Sequence, residues 1–151
     1  MKNEAVKLFW EEFSKAHPSY KNHTYNYGYF CDNETDANTC AELVKNDIKR
    51  ATAHALLSLQ LNNEPLPKIG DLFVVTDWSG TPKCVVKTTS VKLLPYFTIN
   101  AEHARLEGEG DKSLEHWQRT HWDFYTRALR PFDRYPSQSM IVVFERFEKI
   151  Y

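Results

Sequence analysis

Lys49 and Thr52 stand three residues apart in Lys49-Arg50-Ala51-Thr52, and Glu107 opens the downstream run Glu107-Gly108-Glu109-Gly110-Asp111. Together the two segments offer an amine, a hydroxyl and several carboxylates. A threonine hydroxyl is a poor nucleophile at neutral pH and acts only beside a base, so the chemistry requires folding to join them. A lysine helps in one of two ways: as a base when burial lowers its pKa, or as a cation that stabilises a developing oxyanion. Each residue also has a plain use. Lys49 alone reads as a solvated residue at a helix C-terminus, where the dipole keeps it protonated, and Thr52 as a cap or turn hydroxyl. The carboxylates at 107, 109 and 111 sit on a glycine connector that offers a general base or cation ligands. That run lacks the ligand periodicity of an EF-hand, and a solvated loop is its commoner outcome.

Other chemistries lack their residues. His116 and His121 are five apart, not the i, i+4 spacing that sets two zinc ligands on one helical face. Cys31, Cys40 and Cys84 form an odd set without C-x-x-C spacing, so they read as reduced, structural thiols. None has the local setting of a cysteine hydrolase. The five glycines make neither a G-x-x-x-x-G-K nor a G-x-G-x-x-G phosphate loop. No metal and no cofactor is expected.

The 151 residues suit one domain, 1–151, able to bury roughly two-thirds of the surface of the unfolded chain. Apolar runs such as Met140-Ile141-Val142-Val143-Phe144 are too short to span a bilayer, and the N-terminus has no signal-peptide core. A cytoplasmic location without membrane contact is the expectation. A formal charge of −1, from 19 basic and 20 acidic residues, gives no field to concentrate a polyanion, although Lys45, Lys49 and Arg50 allow a local basic pocket. Aromatic residues at 14% suggest a heavy core or flat pocket walls; Trp78, before Ser79-Gly80, reads as a packed indole or as a stacking platform for a base.

The elements that must position these residues follow from periodicity. Val6, Phe9, Trp10 and Phe13 predict an amphipathic helix over about 3–17, stopped by Pro18. Residues 25–30 carry rings on both faces and suggest a short extended piece or an ordered loop. Asp32 and Asn33 can cap a helix with the stripe Ala37, Cys40, Leu43, Val44 and Ile48, which leaves Lys49 at or just beyond its end. Residues 51–61 read as further helix or turn. A turn at Ile69-Gly70-Asp71 leads to a strand over 72–76, a hairpin at Ser79-Gly80, a return strand from Lys83 to about Leu93, and a closing strand over 139–147. Between the last two strands come a short helix over 101–107 and a longer one starting at Ser113, with Leu114, Trp117, His121, Phe124 and Ala128 in helical period. This α+β pattern fits a small mixed β-barrel with flanking helices better than a doubly wound sheet.

In order and spacing these segments resemble the ASCH domain family, whose fold is a PUA-like β-barrel with helices over its ends. The resemblance rests on 41–44 with Ile48-Lys49-Arg50-Ala51-Thr52, Gly70-Asp71, 74–82 leading into Cys84-Val85-Val86, and 104–111 with Ser113-Leu114, Trp117 and His121. It covers nearly the whole chain beyond the first helix. It implies a barrel-mouth pocket for RNA or a nucleoside-like molecule. One branch resembles amidohydrolases that remove the acetyl group of N4-acetylcytidine with a lysine, a threonine and a glutamate, which map to Lys49, Thr52 and Glu107, the last four residues after His103. Arg50, Trp78, Glu109 and Asp111 are then expected to contact the ligand. Asp47 replaces the family's usual glycine, and His54 a common arginine. An acid at 47 is expected to ion-pair Lys49. A noncatalytic RNA-binding or ligand-sensing module and a ribonuclease are the alternatives.

Overall fold

The structure, a computed structural model, describes residues 3–151. Helix α1 (Glu4–Ala16) starts at Asn3, whose side chain accepts from Ala5 N, and it buries Val6, Trp10 and Phe13. Strand β1 (Asn26–Gly28) is short, and helix α2 (Glu34–Lys45) is capped by Asn33, whose side chain accepts from Asp36 N. Strand β2 (Ala51–Ala55) runs directly into helix α3 (Leu56–Leu61). Strands β3 (Leu72–Thr76) and β4 (Pro82–Pro95) form the hairpin. Helices α4 (Ala101–Glu107) and α5 (Leu114–Leu129) precede strand β5 (Ile141–Lys149).

The sheet order is β1-β3-β4-β5-β2, with β1 parallel to β3 and all other pairs antiparallel. It curls into a half-barrel of the PUA-like kind, in an α+β fold, with β1 and β2 as its edges. Helix α1 covers one face, against Leu72, Val74 and Val85. Helix α2 packs Ala41 and Val44 on Val75, Cys84, Val86 and Phe147. Helices α4 and α5 cover Ala51, Ala53, Ala55, Val142 and Phe144.

Two expectations change. Residues 51–55 are a strand, not helix or turn. Alanine favours helix, but Ala51, Ala53 and Ala55 bury at period two, and pairing with β5 overrides the local preference. The stripe of α2 ends at Val44, because the chain turns left-handed at Asp47 (φ 60°) and leaves Ile48 outside the helix and exposed.

The free edge of β2 matters for the site. Phe147 N donates to Arg50 O, so alternation turns the carbonyls of Ala51 and Ala53 away from β5. Side chains cover them: Lys49 Nζ donates to Ala51 O at 2.7 Å and Tyr125 Oη to Ala53 O at 2.8 Å. An edge that could pair with another strand is thereby closed.

Candidate functional site

Lys49 is placed by the exit from α2. Its N–H and that of Ile48 both donate to Leu43 O, which folds the chain back under the helix, and Arg50 N donates to Leu106 O of α4. This clamp brings Lys49 to Glu107, the last residue of α4. Gly108 then takes φ 69°, and a Cβ there would lie 2.4 Å from Ile48 O, so the close approach of the two segments requires glycine. Gly110 at φ 57° lies likewise against the His116 ring.

The result is a charge quartet, buried except at the partly exposed Glu109. Lys49 Nζ donates to Glu107 Oε1 at 3.2 Å and to Glu109 Oε2 at 3.1 Å, with Lys49 2% and Glu107 1% exposed. Trp117 Nε1 donates to Glu107 Oε2. His121 Nε2 lies 3.1 Å from the same oxygen, and its Nδ1 lies 2.8 Å from Trp117 O. Both ring nitrogens thus face acceptors, the pattern of a doubly protonated imidazolium. Its ring stacks on Trp117 at 4.0 Å. Two cations and two carboxylates balance.

The pKa directions follow. Burial alone would raise the Glu107 carboxyl, but His121 and Lys49 outweigh it and hold it at about 2. Burial would lower His121, yet Glu107 raises it above 6.5. Burial would lower Lys49 too, and Glu109 and Glu107 reverse the sign, so its pKa rises and the amine stays protonated. Its partners are therefore carboxylates and not the helix dipole. Nor is Asp47 a partner, contrary to expectation: its carboxylate lies 3.5 Å from Lys149 Nζ. Position 47 has a left-handed φ of 60°, a conformation that glycine adopts without steric cost and aspartate does not.

The quartet forms the floor of a cavity of about 400 Å³ between β2, α5 and the loop joining β1 to α2. Thr52 lines it on the strand, followed by His54, whose Nε2 lies 3.0 Å from Glu145 Oε2. Among the described residues Thr52 makes no side-chain hydrogen bond to Lys49 or Glu107. Phe30, Tyr125 and Phe124 supply apolar walls, and Asp32 accepts from Arg127 at 2.8 and 3.2 Å across the rim.

Lys49, Thr52, Glu107 and Glu109 thus meet in one cavity. Arg50, Trp78 and Asp111 are not among its lining residues: Arg50 is exposed, Asp111 accepts from Ser113 N, and Trp78 stands against Tyr29 at 4.6 Å, 38% exposed. His103 caps α4, its Nδ1 accepting from Asn100 N. Sequence reasoning missed His121 and Tyr125 as site residues. The buried stripe Trp117, His121, Tyr125 and Leu129 has ordinary helical period, so it looked like core.

Two groups of donor atoms lie within 4.8 Å of one another: Glu107, Glu109 and His121, and Cys31, Cys40 and Glu109. The ammonium of Lys49 takes the cation position between the two glutamates of the first.

A curled PUA-like half-barrel with a buried Lys–Glu pair under an open pocket defines the class, and comparison with known proteins gives the family. The ASCH domain family model matches residues 26–151, and the chain belongs to that family. The crystal structure of an ASCH domain from Lactobacillus crispatus JV V101 superposes with a TM-score of 0.93 at 34% identity, over 99% of this chain and 96% of that one. The protein EF3133 of Enterococcus faecalis V583 gives 0.87 at 26% identity, over 97% and 88%. The hypothetical protein PH0355, at 19% identity and a TM-score of 0.52 over 83% and 98%, shares the fold alone. No curated protein matches this chain.

Proposed function

We propose that this protein hydrolyses the amide of an acylated nucleoside, with N4-acetylcytidine as the test substrate. The observation that carries the reading is the burial of Lys49 against Glu107, 58 residues apart, at the floor of a cavity that Thr52 lines. Thr52 Oγ1 attacks the acyl carbon. Lys49, protonated at rest, is suited to the developing oxyanion and to the leaving amine, and Glu107, ionised at rest, to the hydroxyl proton. A carboxylate held at about 2 is a weak base. When Lys49 turns to the substrate carbonyl, Glu107 loses one of the contacts that hold it down and its basicity rises. The C–N bond then breaks, the amine leaves with a proton from the Lys49–Glu107–His121 network, and water cleaves the threonine ester. Because the three groups interact strongly, their titration belongs to the set.

The charge of the lining supports an uncharged ligand over a phosphodiester. Asp32, Asp36, Glu64, Glu107 and Glu109 face the cavity, while Lys49 and Arg127 already have carboxylate partners. The RNA-binding alternative draws on one observation outside the cavity floor: Tyr29 and Trp78 form an exposed aromatic pair, and Tyr29 lines the pocket. Such a pair suits base stacking.

The test is incubation of the purified protein with N4-acetylcytidine and, separately, with single-stranded RNA. Release of cytidine and acetate supports the hydrolase. RNA cleavage without acetate supports the ribonuclease, and salt-dependent RNA binding without turnover the binding module.

A further inference from the structure

The mechanism leaves two thiols unused at the edge of the same pocket. Cys31 Sγ lies 3.5 Å from Cys40 Sγ, with both thiols free, and Cys40 Sγ donates to Glu109 Oε1 at 3.2 Å. Cys31 lines the cavity and is half-buried; Cys40 is buried on α2. Cys31 also has φ 69°, a left-handed conformation that L residues rarely adopt, in the loop before α2. The third thiol, Cys84, is buried under α2 among Val75, Val86 and Phe147.

We propose that Cys31 and Cys40 are a modification site, a thiol pair that closes to a reversible disulfide at the pocket wall with a peroxide as oxidant. A disulfide needs sulfurs at about 2.05 Å, so from 3.5 Å the pair must close by roughly 1.5 Å. Cys31, which faces the cavity, meets the peroxide first. Its sulfur attacks the O–O bond, forming an S–O bond and releasing water, and becomes a sulfenic acid. Cys40 Sγ then attacks that sulfur. Its proton passes by way of Glu109 Oε1 to the departing hydroxide as the S–O bond breaks, so a second water leaves and the Glu109 carboxylate is regenerated. Two thiols and one peroxide give one disulfide and two waters.

The bond has a consequence at the floor. Cys40 no longer donates to Glu109, whose other oxygen holds Lys49, so oxidation loosens one of the two carboxylates on that amine. A thiophilic metal at Cys31, Cys40 and Glu109 is disfavoured, because the Lys49 ammonium stands 3.1 Å from the Glu109 carboxylate. A disulfide is neutral and meets no such repulsion.

The full chain is treated with hydrogen peroxide, then alkylated and mapped by mass spectrometry, with and without prior thiol reduction. The expected result is a Cys31–Cys40 cross-link, reversed by dithiothreitol, absent in Cys31→Ser and Cys40→Ser, and retained in Cys84→Ser. Cys31→Ser keeps the test valid if the buried Cys40 variant fails to fold. Irreversible oxidation of Cys31 without a cross-link, a cross-link to Cys84, or stoichiometric zinc on the purified protein that blocks oxidation would overturn the proposal. The effect of oxidation on N4-acetylcytidine turnover rests on the hydrolase reading. The cross-link is scored by mass and stands apart from it.

Discussion

Under α1, Val6, Trp10 and Phe13 meet Leu72, Val74 and Val85 in an all-hydrophobic cluster, whereas the pocket floor buries Lys49, Glu107 and His121 beneath an open cavity. Both regions bury their side chains, but their energetics run in opposite directions. Apolar burial stabilises at about 25 cal/mol per Å², while a buried ion pair carries a desolvation penalty that its Coulomb attraction only partly offsets. Hydrophobic side chains of similar volume at the floor would commonly leave the fold as stable or more so. The contrast teaches that the α1 face is built for stability, while the floor places charges beside the cavity at a cost in stability.

Deleting one member from each region separates the two roles. Glu107→Ala leaves Lys49 and His121 with an uncompensated buried charge, so it should cost about 3–5 kcal/mol in denaturant unfolding and more than about 100-fold in turnover. Phe13→Ala should cost a similar 3–5 kcal/mol by opening a cavity, yet keep near-normal turnover at temperatures where it stays folded. Equal activity losses in the two variants would dissolve the distinction.

The pH dependence of stability sharpens it. Glu107 is depressed from 4.5 to about 2, so its contribution is present above 4.5 and lost as pH falls through 2. His121 is raised above 6.5, so its contribution is complete below 6.5 and lost as pH rises through the folded value. The floor is therefore most stabilising between about 4.5 and 6.5. Thermal melts across pH should show a decline above 6.5 in the native chain that His121→Asn flattens. The smallest effect is expected at the rim. The Asp32–Arg127 pair is half exposed, and Arg127→Ala should change stability by about 0–1 kcal/mol, less at high salt.

Much of the scaffold was legible because local signals agreed with the tertiary outcome. Asn33 and Ser113 cap the helices they were expected to start, and Ser79-Gly80 turns the hairpin. Strand β2 was hidden because alanines carry no strand preference and only β5 decides their state. Lys49, Thr52 and Glu107 were legible as types through the family resemblance. Their surroundings were not: the Asp47 carboxylate pairs with Lys149 and not with Lys49, and His121 joins Glu107 only once α4 and α5 pack together. Cys31 and Cys40 were read, together with Cys84, as structural thiols because a nine-residue separation says nothing of a 3.5 Å approach.

The most direct test is turnover of N4-acetylcytidine by the native chain and by Thr52→Ala. Thr52 lies on the cavity wall without a side-chain hydrogen bond to the floor, so its loss should leave stability within about 0.5 kcal/mol. The account predicts conversion to cytidine and acetate by the native chain, and a loss of more than about 100-fold in a variant that melts normally. Undiminished turnover in Thr52→Ala would contradict the threonine nucleophile, and no turnover by the native chain would contradict the hydrolase itself.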